Sequence, residues 1–451
     1  LTKLSKKQRE KLLEAGRLLR EAEKPVRVLR TVGWPPEVAA KFFTDGAKEL
    51  PRHDYVPVDD SPVQEKLAAA RKLIDGDSPA HLWLTRAAQS LETGARMLSA
   101  VGTKAFHDHS ASLYKTPAAP MLDGESRPLD LALQLDETLE AFRPTDGQPL
   151  GTPEPSEVMG ADELAARMRP VIERFFGEEA PEVTVVDSLS ANALAGPRAI
   201  RLRRGAAFTP HDLQQLIQHE AFIHVATSLN GKAQEDLPLL AGGHPGTTRT
   251  QEGLAVFSEM ITGAMDPARL RRLADRVIAI QMSIEGADFL ELYQFFRERG
   301  NGEGQAFESA RRVVRGGLVT GGAPFTKDVV YLEGLLQVHN FLRATVQFGR
   351  LDCLHLLFAG KLDVQDLPAL IMLAENGLCR FPRFLPPWVV DSGFLISYLA
   401  YSSFLNRVNL TKVRQHYHDM LAHIPKLDIP VRESDPFVHV TVASTNGMDL
   451  D

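Results

Sequence analysis

From Asp266 onward, apolar residues return at helical spacing, predicting helices over 267–299, 303–316, 326–348, 351–375 and 410–423. The first thirty residues follow the same rule, with Leu12, Leu13, Leu18 and Leu19 set among polar neighbours. Two short runs, Glu182–Leu189 and Ala199–Arg204, read as strands around a turn-rich Ser-Ala-Asn-Ala-Leu-Ala-Gly-Pro segment. Between 210 and 229 the pattern changes character. Leu213, Leu216, Ile217, Phe222, Val225, Ala226 and Leu229 spread around the whole circumference, as in a helix buried on every side. Thr209 stands as its N-cap, Pro210 as its first residue and Asp212 in its first turn, with Asn230-Gly231 as the stop.

That buried helix carries polar chemistry. His219-Glu220-Ala221-Phe222-Ile223-His224 is the zinc-peptidase signature H-E-x-x-H lengthened by one residue. On a regular α-helix, positions i and i+4 lie within roughly 40° of each other, whereas i and i+5 diverge by roughly 140°. Two imidazoles so divergent cannot share one metal. A π-type turn brings them back together, so the spacing predicts a locally widened turn within 219–224. Two buried histidines bonded to backbone carbonyls would satisfy the same six residues, and a third ligand is needed to choose.

Downstream, Thr248 and Gln251 have capping-box spacing and predict a helix to about Thr262. Glu252 falls in its first turn, and Glu259 lies seven residues later on the same face. Two histidines and one carboxylate leave a fourth zinc position open, which is the catalytic pattern. A first-turn acid also complements the helix dipole, so both readings of Glu252 stand at this point.

Gln251-Glu252-Gly253-Leu254-Ala255 together with H-E-x-x-x-H resembles the QEGLA-motif proteins, whose bacterial members are labelled flavohaemoglobin expression-modulating proteins. The same domain occurs in the microtubule-associated tyrosine carboxypeptidases. The resemblance spans roughly residues 20 to 420 and is densest at 215–262, with a further block at Gly321–Asp328 and Tyr331–Gly334. It implies one zinc ion held by His219, His224 and Glu252, with Glu220 as the catalytic carboxylate. The expected fold is α+β and predominantly helical: a zincin-like, gluzincin-type metallopeptidase core with a small sheet and an N-terminal helical extension.

A tetrahedral oxyanion needs a donor besides the metal, and Tyr331 is the candidate, since a phenol donates while neutral at pH 7. An exopeptidase must also hold a terminal carboxylate, which a planar guanidinium does best. Arg249, Arg315 and Lys327 are the candidate substrate cations, beside Arg312 and the strand residues Arg201, Arg203 and Arg204. Together they suit the C-terminal tail of a peptide or protein, including an acidic one. These cations point to a carboxypeptidase, and the resemblance implies a zinc metallocarboxypeptidase that releases a C-terminal tyrosine or another aromatic residue. A zinc endopeptidase or aminopeptidase on the same ligands is the alternative, as is a regulatory protein that keeps the fold without turnover. Intact Glu220 speaks against the last.

Composition narrows the rest. The Pro-, Gly-, Asp- and Thr-rich segment 121–155 divides an N-terminal helical region, 1–120, from a core at 156–425 and a tail at 426–451. Net charge of −7 argues against nucleic acid as a partner, and no apolar run is long enough to span a membrane. Cys353 and Cys379, without C-x-x-C spacing, read as buried apolar residues of a reducing, cytoplasmic compartment. Residues 1–30 carry ten Lys/Arg against four Glu and read as a solvated helix packed on the body. His107-Asp108-His109 reads as a strand pair and His416-Tyr417-His418 as a polar helix, neither with a third ligand. His244 and His339 stand alone; His339, eight residues after Tyr331, could enter the cleft but reads as a hydrogen-bonded core residue.

Overall fold

Helices form most of the chain, and the strands are short and confined to 159–208. The computed structural model describes residues 3–141, 158–187, 189, 192–196 and 198–405, with Tyr417 and Met420. Residues 142–155 of the linker-like segment, His416, His418, nearly all of the helix read over 410–423 and the tail lie outside them. The described part of that segment holds the helix Pro128–Glu140, which packs against Pro267–Ile284. Residues 1–400 form one unit, and 401–451 a second of which little is described.

Side-chain caps set the helix boundaries. Ser5 caps Lys6–Glu23 by reciprocal bonds with Gln8, and that helix buries Leu12, Ala15, Leu19 and Ala22 against Ser61–Arg71 and Pro79–Ser99. Lys6, Lys7 and Arg17 are exposed, and Arg17 pairs with Glu14 and Glu21, whereas Arg20 turns to the buried Glu23 and Arg9 to the carbonyl of Asn376. The expected helix over 267–299 is two, Pro267–Ile284 and Phe289–Glu298. The chain turns at Gly286, whose φ of +115° suits a residue without Cβ, and Asp288 restarts it with a capping box. The 351–375 stretch likewise divides into Leu351–Leu356 and Leu367–Glu375, with Asp363 capping the turn between. The other two appear as Glu303–Val314 and Val329–Gln347.

Five strands are present among the described residues: β1 (Met159–Gly160), β2 (Glu182–Val186), β3 (Ala193–Ala195), β4 (Ala199–Arg203) and β5 (Ala207–Phe208). The two expected strands are β2 and β4, and they pair in parallel with Glu182 opposite Ala199. The segment read as turn contains β3, which returns antiparallel along the other side of β4 and forms an edge of the β2-β4-β3 sheet. Three residues, two of them alanine, carry too little β preference to mark a strand.

The sheet packs Val183, Ile200 and Leu202 into a cluster with Leu164, Met168 and Ile172 of the Ala161–Phe176 helix. Phe222 and Val225 close it from below. A larger cluster reaches from Leu12 to Leu399 and joins the N-terminal helices to Ile223, Leu254, Phe257 and Val330. The segment 217–225 therefore lies where the two clusters meet.

His107 and His109 sit on the helix Lys104–Tyr114 rather than on a strand, so their rings diverge. His107 Nδ1 lies 2.7 Å from the carbonyl of Pro324. His244 is buried and faces Ser90 Oγ at 3.2 Å, and burial lowers its imidazole to about 4. Both cysteines are free and buried. No helix among the described residues is long and apolar enough to cross a membrane.

Candidate active site

Thr209 caps the Pro210–Leu216 helix with a reciprocal bond to Asp212, as its sequence directs. The helix then widens, and Ile217–Val225 is π-helical, with Ala226 N–H donating to the carbonyl of Ala221 five residues back. This is the expected widened turn, and it extends beyond both histidines. Side chains take the carbonyls that it opens. Thr227 Oγ1 donates to Ile223 O at 2.6 Å, while Ser228 Oγ and Lys361 Nζ donate to His224 O at 2.7 and 3.0 Å.

The imidazoles of His219 and His224 consequently face one space, with ring centroids 4.8 Å apart. The third member arrives on the helix Thr248–Ile261. Glu252 Oε2 lies 3.5 Å from Nε2 of His219 and 3.5 Å from Nε2 of His224. Among the described residues these three form the one group of this kind whose ligand atoms all lie within 4.8 Å of one another.

Two features position Glu252. Gly253 crosses Gly334 so closely that a Cβ on Gly253 would stand 2.2 Å from the Gly334 carbonyl oxygen. Gln251 reaches the other way, accepting from Thr227 Oγ1 at 2.9 Å and donating to Gly360 O at 3.5 Å. Gln251 therefore ties this helix to Ala226–Lys232, the helix that continues the π-helix, and the expected Thr248–Gln251 capping box is absent. The N-cap is Thr247, without a side-chain bond.

The rival acid, Glu259, holds His219 from behind. Its Oε1 lies 2.6 Å from His219 Nδ1, and Arg269 forks onto the carboxylate at 3.0 and 3.1 Å. With Nδ1 held by Glu259, Nε2 is the nitrogen of His219 that faces Glu252. Burial opposes the charged forms throughout, and partners outweigh it for Glu259, Glu252 and His219. Glu259 is held down to about 2 by Arg269 and His219, and Glu252 well below its usual range by Lys327 and the histidines. Burial lowers His219 as well, yet its bonds to Glu252 and Glu259 raise it to about 10. His224, with less to offset burial, is lowered.

Glu220 lies beside the edge of the sheet. Asn192 and Gly196 exchange bonds with β4, so the backbone groups of Ala193 and Ala195 face the free edge. Ala195 N–H donates to Glu220 Oε2 at 3.2 Å.

The family profile for microtubule-associated tyrosine carboxypeptidase matches residues 40–407. The chain belongs to the microtubule-associated tyrosine carboxypeptidase family. A comparison with curated proteins finds no match. Membership in a carboxypeptidase family makes a peptide or protein the substrate class, and all eight candidate site residues lie inside the span matched by the tyrosine carboxypeptidase profile.

Those eight are not equally placed. Lys327 Nζ reaches Glu252 Oε1 at 3.0 Å and the hydroxyl of Tyr331 at 3.5 Å, so both stand next to the His–His–Glu group. Arg249 turns to Glu333 at 3.2 Å, a buried carboxylate that also takes Lys115 at 3.0 Å. Arg315 is buried, its guanidinium 5.9 Å over the ring of Phe325, and burial beside Arg312 lowers it to about 10. Sequence reading missed Lys361, Arg269 and Arg276, which come from segments 40 or more residues beyond the motif and carry no local signal.

Proposed function

We propose that this chain is a zinc-dependent metallocarboxypeptidase that releases a C-terminal tyrosine or other aromatic residue from a peptide or protein. The observation carrying the proposal is the placement of Glu252 Oε2 at 3.5 Å from both imidazole Nε2 atoms. Metal–ligand lengths of about 2.0–2.1 Å put tetrahedral ligand atoms about 3.3 Å apart, so the donor set fits zinc in spacing and chemistry. Glu259 behind His219 is the outer carboxylate that zinc histidines carry. His219, His224 and Glu252 would hold the ion, in a zincin-like, gluzincin-type centre whose Q-E-G-L-A helix resembles that of the QEGLA-motif proteins. Bound there, zinc supplies Lewis acidity toward the scissile carbonyl and toward water.

The chain's own residues supply the remaining chemistry. The Glu220 carboxylate removes a proton from the attacking water and returns it to the leaving amine. The Tyr331 hydroxyl donates to the oxyanion that develops on the carbonyl oxygen. The edge of β3 offers the N–H and carbonyl of Ala193 and the carbonyl of Ala195 for backbone pairing with an extended peptide, the Ala195 N–H being held by Glu220. The flank beyond Glu252 is cationic, with Lys327, Arg276, Arg312 and Arg315. That charge suits a substrate's carboxyl end and repels an amino end, which favours carboxypeptidase over aminopeptidase action.

The deciding experiment incubates the zinc-loaded protein with a C-terminally varied peptide library and reads products by mass spectrometry. Loss of one C-terminal residue from free-acid peptides but not from their amides supports the proposal. Equal cleavage of both, or none with zinc bound, removes it.

A further inference from the structure

Four cations crowd Glu252, Glu259, Asp328 and Tyr331, and three of them have carboxylates of their own. Arg269 forks onto Glu259 at 3.0 and 3.1 Å. Lys327 sits 3.0 Å from Glu252. Arg312 forks onto Asp328 through Nε at 2.8 Å and Nη2 at 3.1 Å. Arg276 is the exception. Its nearest carboxylate oxygen, Asp328 Oδ2 at 3.6 Å, already accepts from Arg312, and no hydrogen bond to a described residue engages its guanidinium.

The position of this cation is as informative as its lack of a hydrogen-bonded partner among the described residues. Arg276 stands 5.3 Å over the ring of Tyr331, and Lys327 Nζ approaches the same ring at 4.9 Å. The undercompensated guanidinium is therefore one aromatic ring away from the ammonium that touches Glu252. Arg276 keeps 18% of its side chain exposed and can be reached, whereas Arg315, also without a carboxylate, is only 3% exposed and cannot. Burial, reinforced by Arg312, lowers Arg276 to about 9, as expected of a cation short of counter-charge.

Resting on the carboxypeptidase reading above, we infer that Arg276 receives the terminal carboxylate of the substrate through a bidentate pair. Lys327 stands as the second donor, and Arg315 adds charge without contact. A carboxylate docking there supplies the hydrogen bonds that the guanidinium lacks, and a C-terminal amide cannot supply the charge. Arg249, bound to Glu333, takes no part in this recognition.

Calorimetry of N-acetyltyrosine and its amide with the full chain, with and without added zinc, tests this apart from turnover. The acid is expected to bind the wild type about 30-fold or more tighter than the amide, and Arg276→Gln to reduce that preference to about threefold or less. Should Arg276→Gln not melt cooperatively, Arg276→Lys decides: it keeps the charge, loses the fork and is expected to weaken acid binding about tenfold. Wild-type preference for the acid in a folded Arg276 variant, or its absence in the wild type, overturns the inference. A wild type that prefers the acid through Arg276 yet cleaves no peptide instead overturns the peptidase reading.

Discussion

Glu259 Oε1 lies 2.6 Å from His219 Nδ1, on a side chain with no exposed surface. The contact explains why two acids on one helix have different tasks. Glu252 faces the imidazole Nε2 atoms, and Glu259, two turns later, orients one ring from its far side. Replacing Glu259 by Gln is expected to weaken zinc binding about 10–100-fold, measured by competition with a chromogenic chelator. The same change leaves Arg269 buried without its partner, so denaturant stability should fall by about 3–5 kcal/mol.

Under the proposed function, Glu220→Gln is expected to separate catalysis from metal binding. The glutamine keeps an oxygen for the Ala195 N–H but cannot accept a proton. Zinc content by mass spectrometry should be unchanged, while kcat on free-acid peptides falls about 10²–10⁴-fold.

The close crossing of Gly253 and Gly334 makes Gly253→Ala a packing test. Its new Cβ would meet the Gly334 carbonyl oxygen at 2.2 Å and push two helix backbones apart. A loss of about 1–3 kcal/mol is expected in urea titrations, with weaker zinc binding because Glu252 moves with its backbone. Gly304→Ala, where an added Cβ meets nothing within 4 Å, serves as the control and should not lower stability.

Asp275 gives a pH signature away from the site. Burial raises its carboxyl to about 6 against the pull of Arg299, and Oδ1 has no hydrogen-bond partner. A carboxyl raised on folding favours the folded state when protonated, and that benefit is lost as pH rises through about 6. Asp275→Asn is therefore expected to stabilise the protein by about 1–3 kcal/mol at pH 7.5. The gain should shrink toward zero by pH 4, and urea titrations at both pH values would show it. A constant difference across that range would contradict the assignment.

Local signals proved readable in the sequence. Thr209 and Asp212 cap a helix through contacts three residues apart, and the extra residue between His219 and His224 requires a wider turn if both imidazoles are to face one space. Signals that depend on partners were not. Nothing near Gln251 says that its amide will serve Thr227 instead of a helix start. Spacing placed Glu252 and Glu259 on one face but could not say which nitrogen each would meet, since that depends on how two helices cross. Arg276 is one of many arginines until Tyr331 and Asp328 are packed against it.

The π-helix has a consequence beyond its two histidines. One surplus residue turns everything after it by about 100° relative to a regular helix. Phe222 and Val225 can then enter the cluster under the sheet, while Ile223 enters the one formed by the helices. Deleting a residue from 221–223 would restore the commoner H-E-x-x-H spacing. It would also put the Ala226–Lys232 segment out of phase, pointing its buried side chains, Asn230 included, away from their partners. The motif's irregular spacing and the pairing of the two cores are thus one constraint, and neither can be edited without the other.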